Sequence, residues 1–295
     1  MFREKKQREE LIAVLVSLGL ALLKGGAAIA TGTLSLLASA LDSLMDFLVS
    51  SVNLFALVVS HKEADADHPF GHEKAEALGG LFQSVILILT SGFLIYSSIQ
   101  RFHHPFVLDH LDLGMAVIVF SILMSFWISF RLKKTARQTG SMVLKSDAIH
   151  YSVDLYSYVA ILLAFILIKF TGWKAWDPLM TLPIALYIGV QGLGVGREAV
   201  DELMDRETSP EIRHKVHEII SLHKPLVLGM HNFKSRRAAG KRFIQFHLEM
   251  KKHLSFEHVH EITEKIAKEI RTEMGNVHVI IHPDPEGHGE DESDL

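Results

Sequence analysis

Two carboxylates four residues apart, Asp42 and Asp46, interrupt an otherwise apolar run from Leu34 to Ser60. On a helix that spacing stacks both acids on one face. A second run, Lys145 to Phe170, carries His150 and Asp154 at the same spacing. An Asp at mid-bilayer costs roughly 2.5–3.5 kcal/mol, so three unpaired ones cost on the order of 8–10 kcal/mol. No Arg lies within these runs, and Lys24 is the one Lys clearly inside a span, Lys145 and Lys169 lying at the ends of theirs. A divalent cation is therefore the compensating charge to which the composition points, protonated acids in helix–helix hydrogen bonds being the alternative. Three carboxylates and an imidazole suit a tetrahedral Zn²⁺ and also admit Fe²⁺, Mn²⁺, Co²⁺ or Cd²⁺. The chain has no cysteine, so thiolate sites and disulfides are excluded and His, Asp and Glu must supply every ligand. With the site empty, three acids crowded in low dielectric cannot all stay ionised, so protons are expected to replace a departing metal.

Other donor groups stand outside the runs. Asp65, His68 and His72 fall within eight residues of one another, with Asp67 as a further candidate. A polar loop explains that spacing equally well. Of the eighteen histidines, eleven follow Thr208. Among them His231 falls on the first expected strand, His247 on the second, His260 on the second helix and His282, with Asp284, at the end; taken singly, each His is more often a surface residue. His247 lies on the strand face opposite Ile244, Phe246 and Leu248, so it is not core.

The elements that must position these groups follow from hydropathy. The chain has 295 residues, 48% of them hydrophobic, a mean hydropathy of +0.23 and a net charge of −4. That balance points to membrane insertion and away from a nucleic-acid binder, which needs a basic surface. Six apolar segments reach spanning length: 11–30, 34–60, 75–99, 113–130, 143–170 and 177–195. A tight turn at Thr31-Gly32-Thr33 joins the first two. Arg3, Lys5, Lys6 and Arg8, the pair Lys62 and Lys74, the cluster Arg131, Lys133, Lys134 and Arg137, and finally Arg197 and Arg206 put both termini and the even-numbered loops in the cytoplasm. The lead-in MFREKKQREE lacks a cleavable signal and reads as a retained cytoplasmic end.

Past Arg206 the apolar runs shorten. Thr208 and Glu211 fit a capping box with Pro210 in the first turn. Ile212, Val216, Ile219 and Ile220 form a helical stripe, and strands are expected over 226–233, 242–250 and from Val277. Ser255 opens a helix with Phe256, Val259, Ile262, Ile266 and Ile270 inward. The expected architecture is a six-helix membrane bundle over 1–207, an α+β domain of αββαβ order over 208–285, and a disordered acidic tail over 286–295.

Together, Asp42-x-x-x-Asp46 in the second span, His150-x-x-x-Asp154 in the fifth and the trailing αββαβ domain resemble the cation diffusion facilitators, nearest the bacterial zinc and iron efflux branch. The resemblance covers nearly the whole chain. It implies a metallochaperone-like cytoplasmic domain and a homodimeric metal/proton antiporter in a bacterial inner membrane. It further implies a transport site of Asp42, Asp46, His150 and Asp154, and a loop site of Asp65, His68 and His72. A paired-metal site near the dimer contact follows from His231, His247, His260, His282 and Asp284. Lys74 and Asp205 match a charged pair that joins protomers below the membrane. One His in the transport set leaves Zn²⁺, Cd²⁺ and Fe²⁺ open, and manganese selectivity is an alternative. Zn²⁺ is expected both as cargo and as a structural or regulatory ion. A channel would need a continuous polar lining. An intramembrane metalloenzyme would need a general base, and no HExxH or GxxxxGK[ST] sequence is present. A membrane-anchored metal sensor or scaffold is the remaining alternative.

Overall fold

The computed structural model describes residues 2–31, 34–103, 111–207 and 210–287. The expected turn at Gly32–Thr33, the Thr208 cap and the tail from 288 onward lie outside the described residues. The chain forms two compact units, 1–200 and 201–295.

The first unit holds α1 Phe2–Thr31, α2 Leu34–Ser60, α3 Ala75–His103, α4 Leu111–Thr139, α5 Met142–Thr171 and most of α6 Trp176–Leu203, whose last three residues belong to the second unit. All six carry stretches long and apolar enough to cross a membrane. α2 keeps the bounds of its expected apolar segment, and the other five outlast theirs, because a helix needs propensity and not hydropathy to continue. The Glu, Lys, Arg and Gln of the lead-in are good helix formers, so α1 starts at Phe2. In α5, Ser141 caps the start by accepting the Leu144 N–H. Gly172, at φ +70°, closes the end with its N–H on the Ile168 carbonyl.

Small residues bring the helices together. A Cβ on Gly79 of α3 would lie 2.9 Å from both Ala56 of α2 and Val143 of α5, so only glycine lets these three helices meet there. The buried serines Ser43, Ser50, Ser84, Ser91 and Ser129 serve the same close packing. Ala13 of α1, Ile128 and Leu132 of α4, and Leu144 and Tyr151 of α5 form one apolar cluster. α2 and α5 are thereby held as neighbours, as two ligand pairs require.

The second unit contains α7 Pro210–Ser221, β1 Val227–Ala238, β2 Lys241–Met250, α8 Phe256–Met274 and β3 Val277–Pro285. The sheet order is β1-β2-β3, β1–β2 antiparallel and β2–β3 parallel. Ile244, Phe246, Leu248 and Met250 alternate into a core closed by Val216 and Ile220 of α7 and Ile266 and Ile270 of α8. Ser255 caps α8 by accepting the His258 N–H. Phe256 corrects one expectation: it is the first helical residue and, instead of facing inward, is 87% exposed. β1 is also longer than expected. It continues to Ala238 and turns through Ala239 (φ +48°) and Gly240 (φ +82°) into β2, a tight primed-type hairpin. Alanine is a poor signal for such a turn. Here the Ala239 N–H is held by Glu202 Oε1 at 2.9 Å, within the same unit.

Candidate metal centres

The α2 and α5 faces bring three of the four expected transport ligands together. His150 Nε2 lies 3.0 Å from Asp46 Oδ1 and 3.8 Å from Asp154 Oδ2. Donors around a tetrahedral Zn²⁺ with bonds near 2.0 Å stand about 3.3 Å apart, so this trio suits such an ion. His150 is 7% exposed. Asp42 lies one helical turn from Asp46, is exposed, and stands outside the trio.

The site is walled by polar groups that the reading of spacing missed. Lys24 of α1 is buried, its Nζ 2.8 Å from Ser43 Oγ and 2.9 Å from the Tyr158 hydroxyl, and 5.0 Å from that ring's centre. One turn before His150, Asp147 accepts hydrogen bonds from Ser50 Oγ and Asn53 Nδ2, each at 3.3 Å. Asp147 shares the i, i+3, i+7 face of His150 and Asp154, and Ser50 and Asn53 extend the Asp42–Asp46 face. Both were open to the same face-counting. Among buried groups nearer the α1 N-terminus, Glu76 of α3 accepts from Lys6 Nζ at 2.7 Å and from the Ser141 hydroxyl.

The loop between α2 and α3 gathers its expected trio. Asp65 Oδ1 lies 3.3 Å from His68 Nδ1, and Asp65 Oδ2 3.5 Å from His72 Nε2. The backbone N–H of His68, donating at 2.7 Å, holds the Asp65 carboxyl below its ordinary range, with smaller help from the two imidazoles and against the opposing effect of burial. Asp67 is exposed and turns its own N–H, not its carboxylate, toward Asp65. The carboxylate between two imidazoles fits a divalent ion, and His72 keeps a buried, unpartnered Nδ1.

In the second unit the sheet register does the gathering. His231 pairs with His247, and His247 with His282, placing three imidazoles on one row across three strands. Asp284 lies two residues on, on the same face. Its Oδ2 is 2.8 Å from His247 Nδ1 and 3.2 Å from His231 Nε2, while its Oδ1 is 3.2 Å from His282 Nε2. Burial pushes the Asp284 carboxyl up, but the His247 hydrogen bond and the charges of His247, His282 and His231 outweigh it, so the group sits below its ordinary range. Asn232, at φ +50°, forms the bulge beside His231 and places its amide 3.3 Å from His247 Nε2. This donor set fits a divalent ion. His260 does not join it: exposed on α8, it borders a hollow with Val259, Thr263, Ile281 and Pro283. Lys74 and Asp205 belong to different units, and Asp205 accepts from Arg236 Nη1 at 3.1 Å.

Residues 11–204 match the model of the cation efflux transmembrane domain, and residues 208–286 that of the cation efflux protein cytoplasmic domain. The chain is 35% identical over 255 residues to a cation-efflux pump FieF of Shewanella oneidensis, covering 86% of each. It is 34% identical over 278 residues to that of Salmonella arizonae, covering 94% of this chain and 92% of the relative. Among solved structures, the metal-bound C-terminal domain of a CzcD transporter from Thermotoga maritima is 28% identical. The match covers 27% of this chain and 93% of that one, with a TM-score of 0.26.

Proposed function

Since the chain belongs to the cation efflux family, the cation diffusion facilitators, and is thus an integral membrane transporter and not an enzyme, we propose that it exports Zn²⁺ from the cytoplasm in exchange for protons. The observation that carries this reading is the trio Asp46, His150 and Asp154, three donor atoms from two membrane helices within 4.8 Å of one another. Asp42 completes the set from the next turn of α2 when cargo arrives. Fe²⁺ and Cd²⁺ fit the same mixed oxygen and nitrogen donors, and Mn²⁺ fits them less well, because a hard ion gains little from the imidazole.

The chain's own residues set the exchange. An incoming divalent cation needs deprotonated donors, so binding at Asp46, His150 and Asp154 expels protons. Protons entering when the site faces the other side reoccupy the carboxylates and lower the hold on the cargo. Lys24, kept off the trio by Ser43 and Tyr158, offsets part of the negative charge without occupying the ligand position.

The remaining sites take supporting roles. Asp65, His68 and His72 would hold a cation that ties down the α2–α3 loop near the entry. His231, His247, His282 and Asp284 would hold one that draws two cytoplasmic domains of a homodimer together, and Lys74 with Asp205 would pin the protomers below the membrane. The domain limits are 1–207 and 208–285, both termini lie in the cytoplasm, and the membrane is the bacterial inner membrane. A metal sensor anchored by the bundle is the second reading, favoured by the His cluster on the sheet.

Zinc uptake into proteoliposomes with an entrapped pH dye tests both. Wild type is expected to take up zinc with opposing proton movement, and Asp46→Ala to lose uptake by two orders of magnitude or more while remaining inserted and folded. Uptake unchanged in that variant removes the assignment, uptake without proton movement makes the protein a channel, and no wild-type flux leaves the sensor.

A further inference from the structure

Glu10 of α1 is fully buried, and neither of its carboxylate oxygens meets a donor. Opposite it stands the equally buried carboxyl of Asp147 on α5, close enough for the two groups to hydrogen-bond. Two ionised carboxylates offer only acceptors, so a contact between them is repulsive, and one proton between them turns it into a strong hydrogen bond. Among the described residues the surroundings supply no other remedy. Glu76 of α3, also facing Glu10, is committed to Lys6 and Ser141, and Arg131 of α4 is committed to Glu9. On α5, Tyr151 donates to the Ala13 carbonyl, and the charges of His150 and, on α2, of Asp46 also act on Asp147. Asp147 receives Ser50 and Asn53, whereas Glu10 receives nothing.

We propose that Glu10 and Asp147 share one proton and form a second proton-binding site, separate from the metal trio, that clamps α1 to α5. Its occupancy does not depend on the cargo, whereas its part in exchange rests on the antiport reading above. Loss of the proton leaves two like charges buried together and drives the two helices apart. The site thus responds to the pH on the side of the α1 N-terminus, one helical turn from His150 yet without sharing its ligands.

Infrared spectroscopy of the zinc-saturated full-length protein in detergent at neutral pH tests this, because metal has then replaced protons on the trio. Wild type is expected to retain a protonated-carboxyl C=O stretch that shifts in D₂O. Glu10→Gln and Asp147→Asn should each lose it, since an amide supplies the hydrogen bond without a titrating proton. The substitutions are nearly isosteric, and either one suffices. A band absent from wild type, or present in both variants, overturns the proposal. So does one more equivalent of bound zinc in wild type than in Glu10→Gln, which would make the pair a cation site. Failure of zinc transport in wild type would overturn the proposed function and leave this band in place, so the two failures are distinct.

Discussion

Asp284 is the residue through which three imidazoles of the second unit are tied together, and its charge makes the unit acid-sensitive. A carboxyl held below its ordinary range stabilises the fold fully above that range, and the stabilisation is lost as pH falls through the group's own lower value. In chelator-treated full-length protein, hydrogen exchange in β3, corrected for intrinsic rates, is expected to accelerate on the acid side of the ordinary Asp range. Asp284→Asn should abolish that acid step and expose β3 at neutral pH as well. An acid step identical in the variant would show that another group carries it. The ligating types and their i, i+4 spacing were legible in the sequence for Asp46, His150 and Asp154. Asp147 and Glu10 were not singled out, although Asp147 shares the counted face. Glu10 is separated from it by most of the chain, and its burial depends on how α1 packs. His260 shows the converse: its residue type fits a ligand, and the helix carries it away from the row.

Helices were legible because apolar runs of spanning length admit little else in a bilayer. Their ends were not, since charged helix formers extend a helix past the hydrocarbon edge, as α1 does at Phe2. The β1–β2 hairpin was shortened for a similar reason. Nothing in Ala239-Gly240 announces a turn as Asn-Gly would, and the hydrogen bond that the Ala239 N–H donates to Glu202 holds Ala239 in the left-handed region. Close approach between helices is also invisible in a run of small residues until the partners are known. Gly79 is the case in point, with Ala56 and Val143 both 2.9 Å from where a Cβ would sit. Gly79→Leu is expected to cost about 1–3 kcal/mol through overpacking and to separate α2 from α5. The detergent melting temperature should fall and zinc affinity at the trio should drop at least tenfold, with Gly79→Ala intermediate. An unchanged melting temperature in the Leu variant would contradict this junction.

At the scale of the whole molecule the proposed homodimer has a charge test. Lys74→Asp and Asp205→Lys are each expected to shift the protein in detergent toward monomer by light scattering, and the double reversal to restore the dimer. Because Asp205 also accepts from Arg236, restoration by the double variant is the informative outcome; its absence would mean that the two charges do not meet. The order of elements along both units was legible in the sequence, because hydropathy falls sharply after Arg206 and the strand alternation resumes at Ile244. The row of His231, His247 and His282 was not, since it depends on a pairing register that residue spacing leaves open. That register has a further consequence. A slip of β3 by one residue against β2 would turn His282 and Asp284 to the opposite face, leaving two imidazoles without their carboxylate. An ion bound across this row therefore recognises only a correctly paired sheet. It acts as a proof-reader of folding, selecting the native register from its near misses before the domain is asked to do anything else.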